Sequence, residues 1–447
     1  MKIIVVGCTH AGTSTVVNLK TLHPDYEIVV YEKNDNISFL SCGIALSVGN
    51  VVTEPEKLFY NSPENLAKMG IKTNMKHEVL NIDFQNKVIK VKNLNSDETF
   101  EDNYDKLVLT IGSWPIVPKF EGGELENILL CKNYDHAKTI IEKTVPAKNI
   151  TIIGAGYIGV ELAEAFEMKG KKVTLIDAEN RIMSKYLDKE FSDVAEKEFK
   201  NHGIDLVLGE KVSKFEGVHG KVSKIVTDKG SYESDLVILC IGFRPNTEII
   251  NGKLDTLKNG AIIIDEYMRT SEKDVFAAGD CCVVKYNPTD EYRYIPLATN
   301  AIRMGMLIAK NIERPLLKCM GTQGTSGIKI YDKCIASTGL TEDCALATGK
   351  FDVISVITHD NNRPEFMPSY KDIMIKIIFD KISRKILGGQ ILSELDVTQF
   401  MNTLSVAIQN QMTIDELSII DFFFQPHFNK PWSILNTVAL KTLDNCN

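Results

Sequence analysis

The sequence is short of several features that would each name a class of protein. No stretch of its 447 residues comes near the ~20 consecutive apolar residues of a membrane span. Basic residues are not in excess: 51 Lys and Arg face 59 Asp and Glu, a net charge of -8. That balance argues against nucleic acid or an anionic membrane as the main partner, since both select basic surfaces. There is no CxxC pair and no Cys/His cluster with zinc spacing, so no metal site is expected. The ten cysteines are scattered, at 8, 42, 131, 240, 281, 282, 319, 334, 344 and 446. Most should be free thiols that pack as small hydrophobes in a reducing compartment. Low-complexity tracts and short-period repeats are also missing. Lys2 and the apolar residues 3–6 lead straight into a glycine-containing loop, which reads as a strand and not as a secretion signal. The expected location is the cytoplasm.

What the sequence does contain is a strand–loop–helix–strand order that occurs twice. Residues 2–6 read as a strand, 7–12 as a loop, the following stretch to about 20 as a helix, and 27–31 as a second strand ending at Glu32. The order recurs with a strand at 149–153, a loop at 154–159, a helix at 160–169 and a strand at 172–176 ending at Asp177. Strands that alternate with helices imply parallel sheets, and two such openings imply two dinucleotide-binding units. Apolar strands at 106–111 and 236–241 run into Gly112 and Gly242, with prolines close behind, and mark boundaries. By pattern, residues 270–318 return to the first unit. From about 319 the pattern changes to antiparallel strands at 328–330, 353–357, 373–379 and 385–391. A helix at 397–409 and an aromatic tail at 419–424 follow. The expected fold class is therefore α/β: two Rossmann-like dinucleotide-binding domains plus a C-terminal α+β domain.

The first loop reads Gly7-Cys8-Thr9-His10-Ala11-Gly12. Its glycines permit a tight turn and close helix packing, and the helix N-terminus can then hold a pyrophosphate. Thr9 replaces the middle glycine of the usual pattern. Glu32, about 20 residues further on, offers a carboxylate to a ribose. The second loop, Gly154-Ala155-Gly156-Tyr157-Ile158-Gly159, is a complete fingerprint, and Asp177 closes its second strand. That carboxylate can bond a ribose 2′-hydroxyl and would repel a 2′-phosphate, so NADH is expected over NADPH. Arg181 stands close by and softens the expectation. Cys42 lies in Ser38-Phe39-Leu40-Ser41-Cys42-Gly43-Ile44-Ala45-Leu46, just after the Glu32 strand and at the expected start of a helix. A helix N-terminus favours thiolate. His10, in the first loop, is the candidate proton partner, with an unperturbed pKa of ~6.5; the plainer alternative is a loop histidine that only caps its helix.

These residues resemble the NADH oxidase/NADH peroxidase/CoA-disulfide reductase family of the pyridine nucleotide-disulfide oxidoreductases. Thr270 to Asp280, with its Phe-Ala-x-Gly-Asp end, is similar to the second FAD motif of two-dinucleotide flavoproteins, and Thr110-Ile111-Gly112 to their short linking motif. The tail Phe422-Phe423-Phe424-Gln425-Pro426-His427-Phe428-Asn429-Lys430-Pro431 adds to the likeness, which covers essentially the whole chain. The resemblance implies FAD on Gly7, Thr9, His10, Ala11, Gly12, Glu32, Lys33, Cys42, Val79, Thr110, Gly112, Ser113, Lys132, Asp280, Ala298, Thr299 and Phe424. It implies NADH on Gly154, Gly156, Tyr157, Ile158, Gly159, Asp177, Tyr186, Gly242 and Gly327. Tyr157 would gate the flavin. The segments then become an FAD-binding domain in two parts (1–117 and 246–318), an NAD-binding domain (118–245) and a C-terminal dimerisation domain (319–447).

Disulfide reductases of this family carry a second cysteine five residues after the first; here Ser47 stands there. The implied activity is reduction of O2 to water with two NADH, through FAD and a thiolate/sulfenic acid cycle at Cys42, with His10 managing protons. The implied assembly is a homodimer whose partner tail, with Phe424, approaches the flavin. The alternatives are an NADH peroxidase on the same residues, a CoA-disulfide or persulfide reductase, and a flavin-bound electron-transfer or signalling partner. Ala45-Leu46, in place of the Pro-Tyr pair of CoA-disulfide reductases, counts against CoA disulfide.

Overall fold

A computed structural model describes residues 1–250 and 252–444; Cys446 lies outside them. Two five-stranded parallel sheets are built to one plan. In the first the order is Val275–Ala277, Lys106–Leu109, Lys2–Val6, Glu27–Glu32, Lys72–Met75. In the second it is Asp205–Leu208, Lys172–Asp177, Asn149–Ile153, Leu236–Leu239, Ile128–Leu130. The fingerprint strand is central in each. The inner strands are largely apolar because parallel sheets are covered on both faces; Leu236–Leu239, for example, is buried at every residue. Strand Val275–Ala277, far along the chain, pairs with Lys106–Leu109 and so closes the first sheet.

Helix His10–Leu22 follows the first loop and Tyr157–Glu167 the second. The strand expected at 106–111 ends at Leu109, because the Thr110 side chain turns back to bond the carbonyls of Val6 and Gly7, at 3.0 and 2.7 Å. Beyond Gly112 and Gly242 the two connections pair with each other as a ribbon, Ser113–Pro115 against Phe243–Pro245. Each parallel sheet also carries a three-stranded antiparallel sheet absent from the sequence reading: His77–Asp83, Val88–Asn93, Thr99–Asn103 in one case and Val212–Val218, Lys221–Thr227, Ser231–Glu233 in the other.

The C-terminal sheet is antiparallel, in the order Ser326–Ile330, Lys333–Gly339, Ile386–Ser393, Asp372–Asp380, Val353–Asn361. Strand alternation sorts its faces. Ile373, Ile375, Ile377 and Phe379 share a core with helices Gln399–Gln409 and Ile434–Asp444. Met374, with Ile328, Ile330, Ile335 and Leu392, joins the core that contains Val160, Phe166 and Leu175 of the second parallel unit. The C-terminal sheet is thus fused to the second fingerprint unit through apolar surface. No helix among the described residues is long and apolar enough to cross a membrane.

Candidate functional site

The two fingerprint loops solve the same steric problem in the same way. Gly7 and Gly154 sit at φ of +87° and +106°, which side chains rarely adopt. A Cβ on Gly12 would stand 2.1 Å from the Gly7 carbonyl, and one on Gly159 1.9 Å from that of Gly154. These collisions are why each helix can begin flush against its strand. The acidic residues are matched too. Glu32 accepts the Cys8 amide at 2.7 Å and the Asn34 amide at 2.9 Å. Asp177 accepts the Ala155 amide at 2.5 Å and the Glu179 amide at 2.8 Å. Around Gly156 no backbone is near, and the tip of the Tyr186 ring, at 3.9 Å, is the nearest neighbour a Cβ would meet.

Between the loops lies a set of polar side chains drawn from distant segments. Lys132 Nζ donates to Ser113 Oγ at 2.9 Å and pairs with Asp280 at 3.1 Å, and Ser113 Oγ donates to Asp280 at 2.8 Å. Asp280 and Lys132 both act electrostatically on His10 and on Cys42, which places the two candidate catalytic residues in one field. His10 opens its helix but does not cap it. Its ring stacks on Tyr60, with Nδ1 at 2.9 Å from the Tyr60 hydroxyl. Nε2 is buried with no protein partner. Burial pushes the imidazole below its ordinary value; Asp280 opposes this and Lys132 adds to it. Burial likewise pushes the Tyr60 phenol up to about 12.

Cys42 departs from the sequence expectation of a low-pKa thiolate. It lies in the short turn Ser41–Gly43, ahead of a helix of only five residues, Ile44–Val48. The residue is exposed, yet burial around its thiol pushes the pKa up, the Glu161 and Asp280 carboxylates add to that, and Lys132 and a backbone hydrogen bond oppose it. A short helix dipole does not outweigh those two effects. Ser47 is buried with its hydroxyl unpartnered.

Several of the remaining expected residues lie on elements that border this centre. Gly279 packs on Ala11 and Ala301, with Cβ distances of 3.0 and 3.5 Å for an added methyl, and this seats Asp280 beside helix His10–Leu22. Ala298 and Thr299 open helix Ala298–Asn311, which lies on that helix. The Lys33–Glu78 ion pair, 2.7 Å, brings the strand of buried Val79 against the end of the Glu32 strand. On the other side, Tyr157 packs against Tyr186 with the rings tilted by 55° and their centres 4.6 Å apart. Its hydroxyl bonds Ser326 Oγ at 2.7 Å, next to Gly327 in the C-terminal sheet. Phe424 stands apart, half-exposed on the tail with Phe423, Phe428 and Trp432.

Tyr60, Glu161, Ser326 and Tyr294 were not singled out from the sequence. Glu161 is pushed up to about 7, first by burial and then by the Glu164 carboxylate. The Tyr294 hydroxyl is buried and unpartnered near Asp280 and Ser113. Orphaned polar atoms at His10 and Tyr294, the glycine cradle and the buried Glu32 carboxylate all fit a bound dinucleotide such as FAD at the first loop.

The whole-chain comparisons agree with this geometry. The family model described as pyridine nucleotide-disulphide oxidoreductase matches residues 1–305, and that of the same family's dimerisation domain matches 325–433. The chain belongs to this family and is an oxidoreductase. It is 52% identical over 446 residues to an NADH oxidase of Enterococcus faecalis, with full coverage of both chains. A water-forming NADH oxidase from Lactobacillus brevis, solved with NADH bound, superimposes with a TM-score of 0.98 at 51% identity, covering 100% of this chain and 99% of that one. A coenzyme A polysulfide/persulfide reductase of Pyrococcus horikoshii is more distant, 33% identical over 98% of this chain and 97% of its own.

Proposed function

We propose that this chain is an FAD-dependent NADH oxidase that reduces O2 to water, with Cys42 cycling between thiolate and sulfenic acid. FAD, when bound, supplies the two-electron acceptor that takes a hydride and hands reducing equivalents on. Gly7, Thr9, Ala11, Gly12, Glu32, Lys33, Val79, Thr110, Gly112, Ser113, Lys132, Asp280, Ala298 and Thr299 would hold it. Gly154, Gly156, Ile158, Gly159, Asp177, Tyr186, Gly242 and Gly327 would hold NADH, and Tyr157 would swing aside to admit the nicotinamide.

The observation that carries the proposal is Cys42 itself: an exposed residue with a partly buried thiol, sharing the field of Lys132 and Asp280 with His10, with a serine where a disulfide partner would stand. A lone thiol cannot store two electrons as an internal disulfide. It can take one oxygen atom from a peroxide, release water and become sulfenic acid, which two further electrons return to thiolate with loss of a second water. His10 is suited to the proton in this step. The Tyr60 phenol keeps its proton at neutral pH and can donate to Nδ1, which leaves the proton on Nε2, the ring nitrogen without a protein partner. The likeness to proteins named NADH oxidase, one of them water-forming, favours O2 over a disulfide as the acceptor.

The enzyme would act as a homodimer, with Phe424 of one protomer reaching toward the other's flavin; the exposed aromatic tail and the matched dimerisation domain support this. The test is the NADH:O2 ratio of the purified holoenzyme, with and without catalase. Two NADH per O2 and no effect of catalase are expected; negligible O2 uptake would refute the proposal.

A further inference from the structure

The loop that follows the Asp177 strand is closed on Ala155 at both ends. The Ala155 amide donates to Asp177 Oδ2 at 2.5 Å, and the Ala155 carbonyl accepts from Met183 at 2.8 Å. Arg181 lies within this loop, four residues after Asp177, whose carboxylate is the one that faces a ribose 2′-hydroxyl in this fold. A guanidinium at that place is what a 2′-phosphate would seek. Here it is already engaged: Arg181 Nη2 pairs with Asp343 Oδ2 at 2.8 Å, and the arginine side chain is only 23% exposed.

Asp343 comes from the C-terminal part of the chain, in the first turn of helix Glu342–Thr348. Its position is fixed by a neighbouring buried cluster. The Glu342 amide donates to both Asp188 carboxylate oxygens, at 3.0 and 3.2 Å. Glu342 pairs with Lys376 at 2.7 Å, and Lys376 with Asp188 at 3.3 Å. Gln390 exchanges two hydrogen bonds of 2.7 Å with Asp188. The helix end that presents Asp343 is thus pinned to the fingerprint unit, and the aspartate is held ready for Arg181.

We infer that Asp343 is a specificity-determining positioning residue: it holds and neutralises Arg181, leaves Asp177 as the uncompensated charge at the ribose edge, and so excludes NADPH. The inference rests on the proposed NADH site at Asp177. It explains why a chain with an arginine in its specificity loop would still reject a 2′-phosphate.

The test compares kcat/KM for NADPH and for NADH in the Asp343→Asn holoenzyme. Releasing Arg181 should raise the NADPH:NADH ratio by about fivefold or more, the factor one charge-assisted hydrogen bond supplies, through a lower KM for NADPH. The Asp343→Asn/Arg181→Ala double variant should lose that gain. A ratio unchanged in Asp343→Asn, with both KM values moving together, means only a structural tie and overturns the inference; a gain that survives in the double variant does the same. The underlying site is tested separately by Asp177→Ala, which should raise the KM for NADH. If that KM holds steady, the NADH site itself is wrong; if it rises while Asp343→Asn changes no ratio, only the role of Asp343 fails.

Discussion

Cys42 and His10 were legible in the sequence because each sits inside a contiguous motif, where spacing alone fixes the neighbours. Tyr60 and Glu161 were not. Tyr60 meets His10 only because residues 38–61 fold back across the first loop, a return held by the Ser38 hydroxyl, which donates to the Asn61 carbonyl at 2.7 Å and accepts from the Asn61 amide at 2.8 Å. Glu161 reads as an ordinary helix carboxylate until the packing around it is known. It offers a residue-scale prediction. Its folded pKa of about 7 lies above its ordinary value of 4.5, so the folded chain holds this proton more tightly than the unfolded one. That stabilisation is complete below the unfolded pKa and is lost as pH rises to about 7. Glu161→Gln removes the titration. Relative to wild type the variant should therefore gain stability between pH 4.5 and pH 7, by on the order of 3 kcal/mol. Denaturant midpoints at the two pH values check this, and a pH-independent difference would contradict it.

Among the elements, the three inner strands of the first parallel sheet and of the second were readable because burial on both faces demands apolar runs, whereas the short edge strands Lys72–Met75, Val275–Ala277, Asp205–Leu208 and Ile128–Leu130 were not. The C-terminal strand Lys333–Gly339 was missed for the opposite reason. Its Lys-Cys-Ile-Ala-Ser-Thr-Gly sequence has no apolar run, and its pairing on both sides with Ser326–Ile330 and Ile386–Ser393 makes it a strand. The terminal helix Ile434–Asp444 was hidden behind the aromatic tail for want of a clear start signal. The contact between helices His10–Leu22 and Ala298–Asn311, which joins segments almost 300 residues apart, could not be read from pattern at all. It depends on Gly305: an added Cβ would lie 2.5 Å from the Ala11 carbonyl and 2.9 Å from Ser14 Cβ. Gly305→Ala should push the helices apart, destabilise the fold by about 1–3 kcal/mol and loosen the first-loop site. A lower thermal midpoint together with weaker retention of the bound flavin is the expected result; unchanged values of both would show that the crossing is slack.

Across the whole molecule, the C-terminal sheet is tied to the second fingerprint unit by charge as well as by apolar packing. Its Lys376 is buried, and it draws Asp188 and Glu190 of the second fingerprint unit together with Glu342. No residue pattern announces a lysine in the middle of an apolar strand as a tie between units; only the alternation of faces in Asp372–Asp380 shows which way it points. Lys376→Met would leave Asp188, buried as it is, without its cation. A loss of about 3–5 kcal/mol is expected. Calorimetry should then show the C-terminal part melting apart from the rest, whereas a single transition at the wild-type temperature would mean the cluster contributes nothing net.

The same face of the C-terminal part sets Ser326 against Tyr157 and Asp343 against Arg181, so the residues around Cys42 and the second loop are drawn from distant parts of the chain. The central claim is that this cysteine cleaves peroxide before it can escape. The most direct test is to replace Cys42 with serine and measure NADH consumed, O2 consumed and H2O2 released in the same cuvette. Wild type should use two NADH per O2 and release no peroxide. Cys42→Ser should keep oxidising NADH but fall to one NADH per O2 and release one H2O2 for each. If Cys42→Ser still makes only water, or if wild type itself releases peroxide in equal amount, the role assigned to Cys42 is wrong.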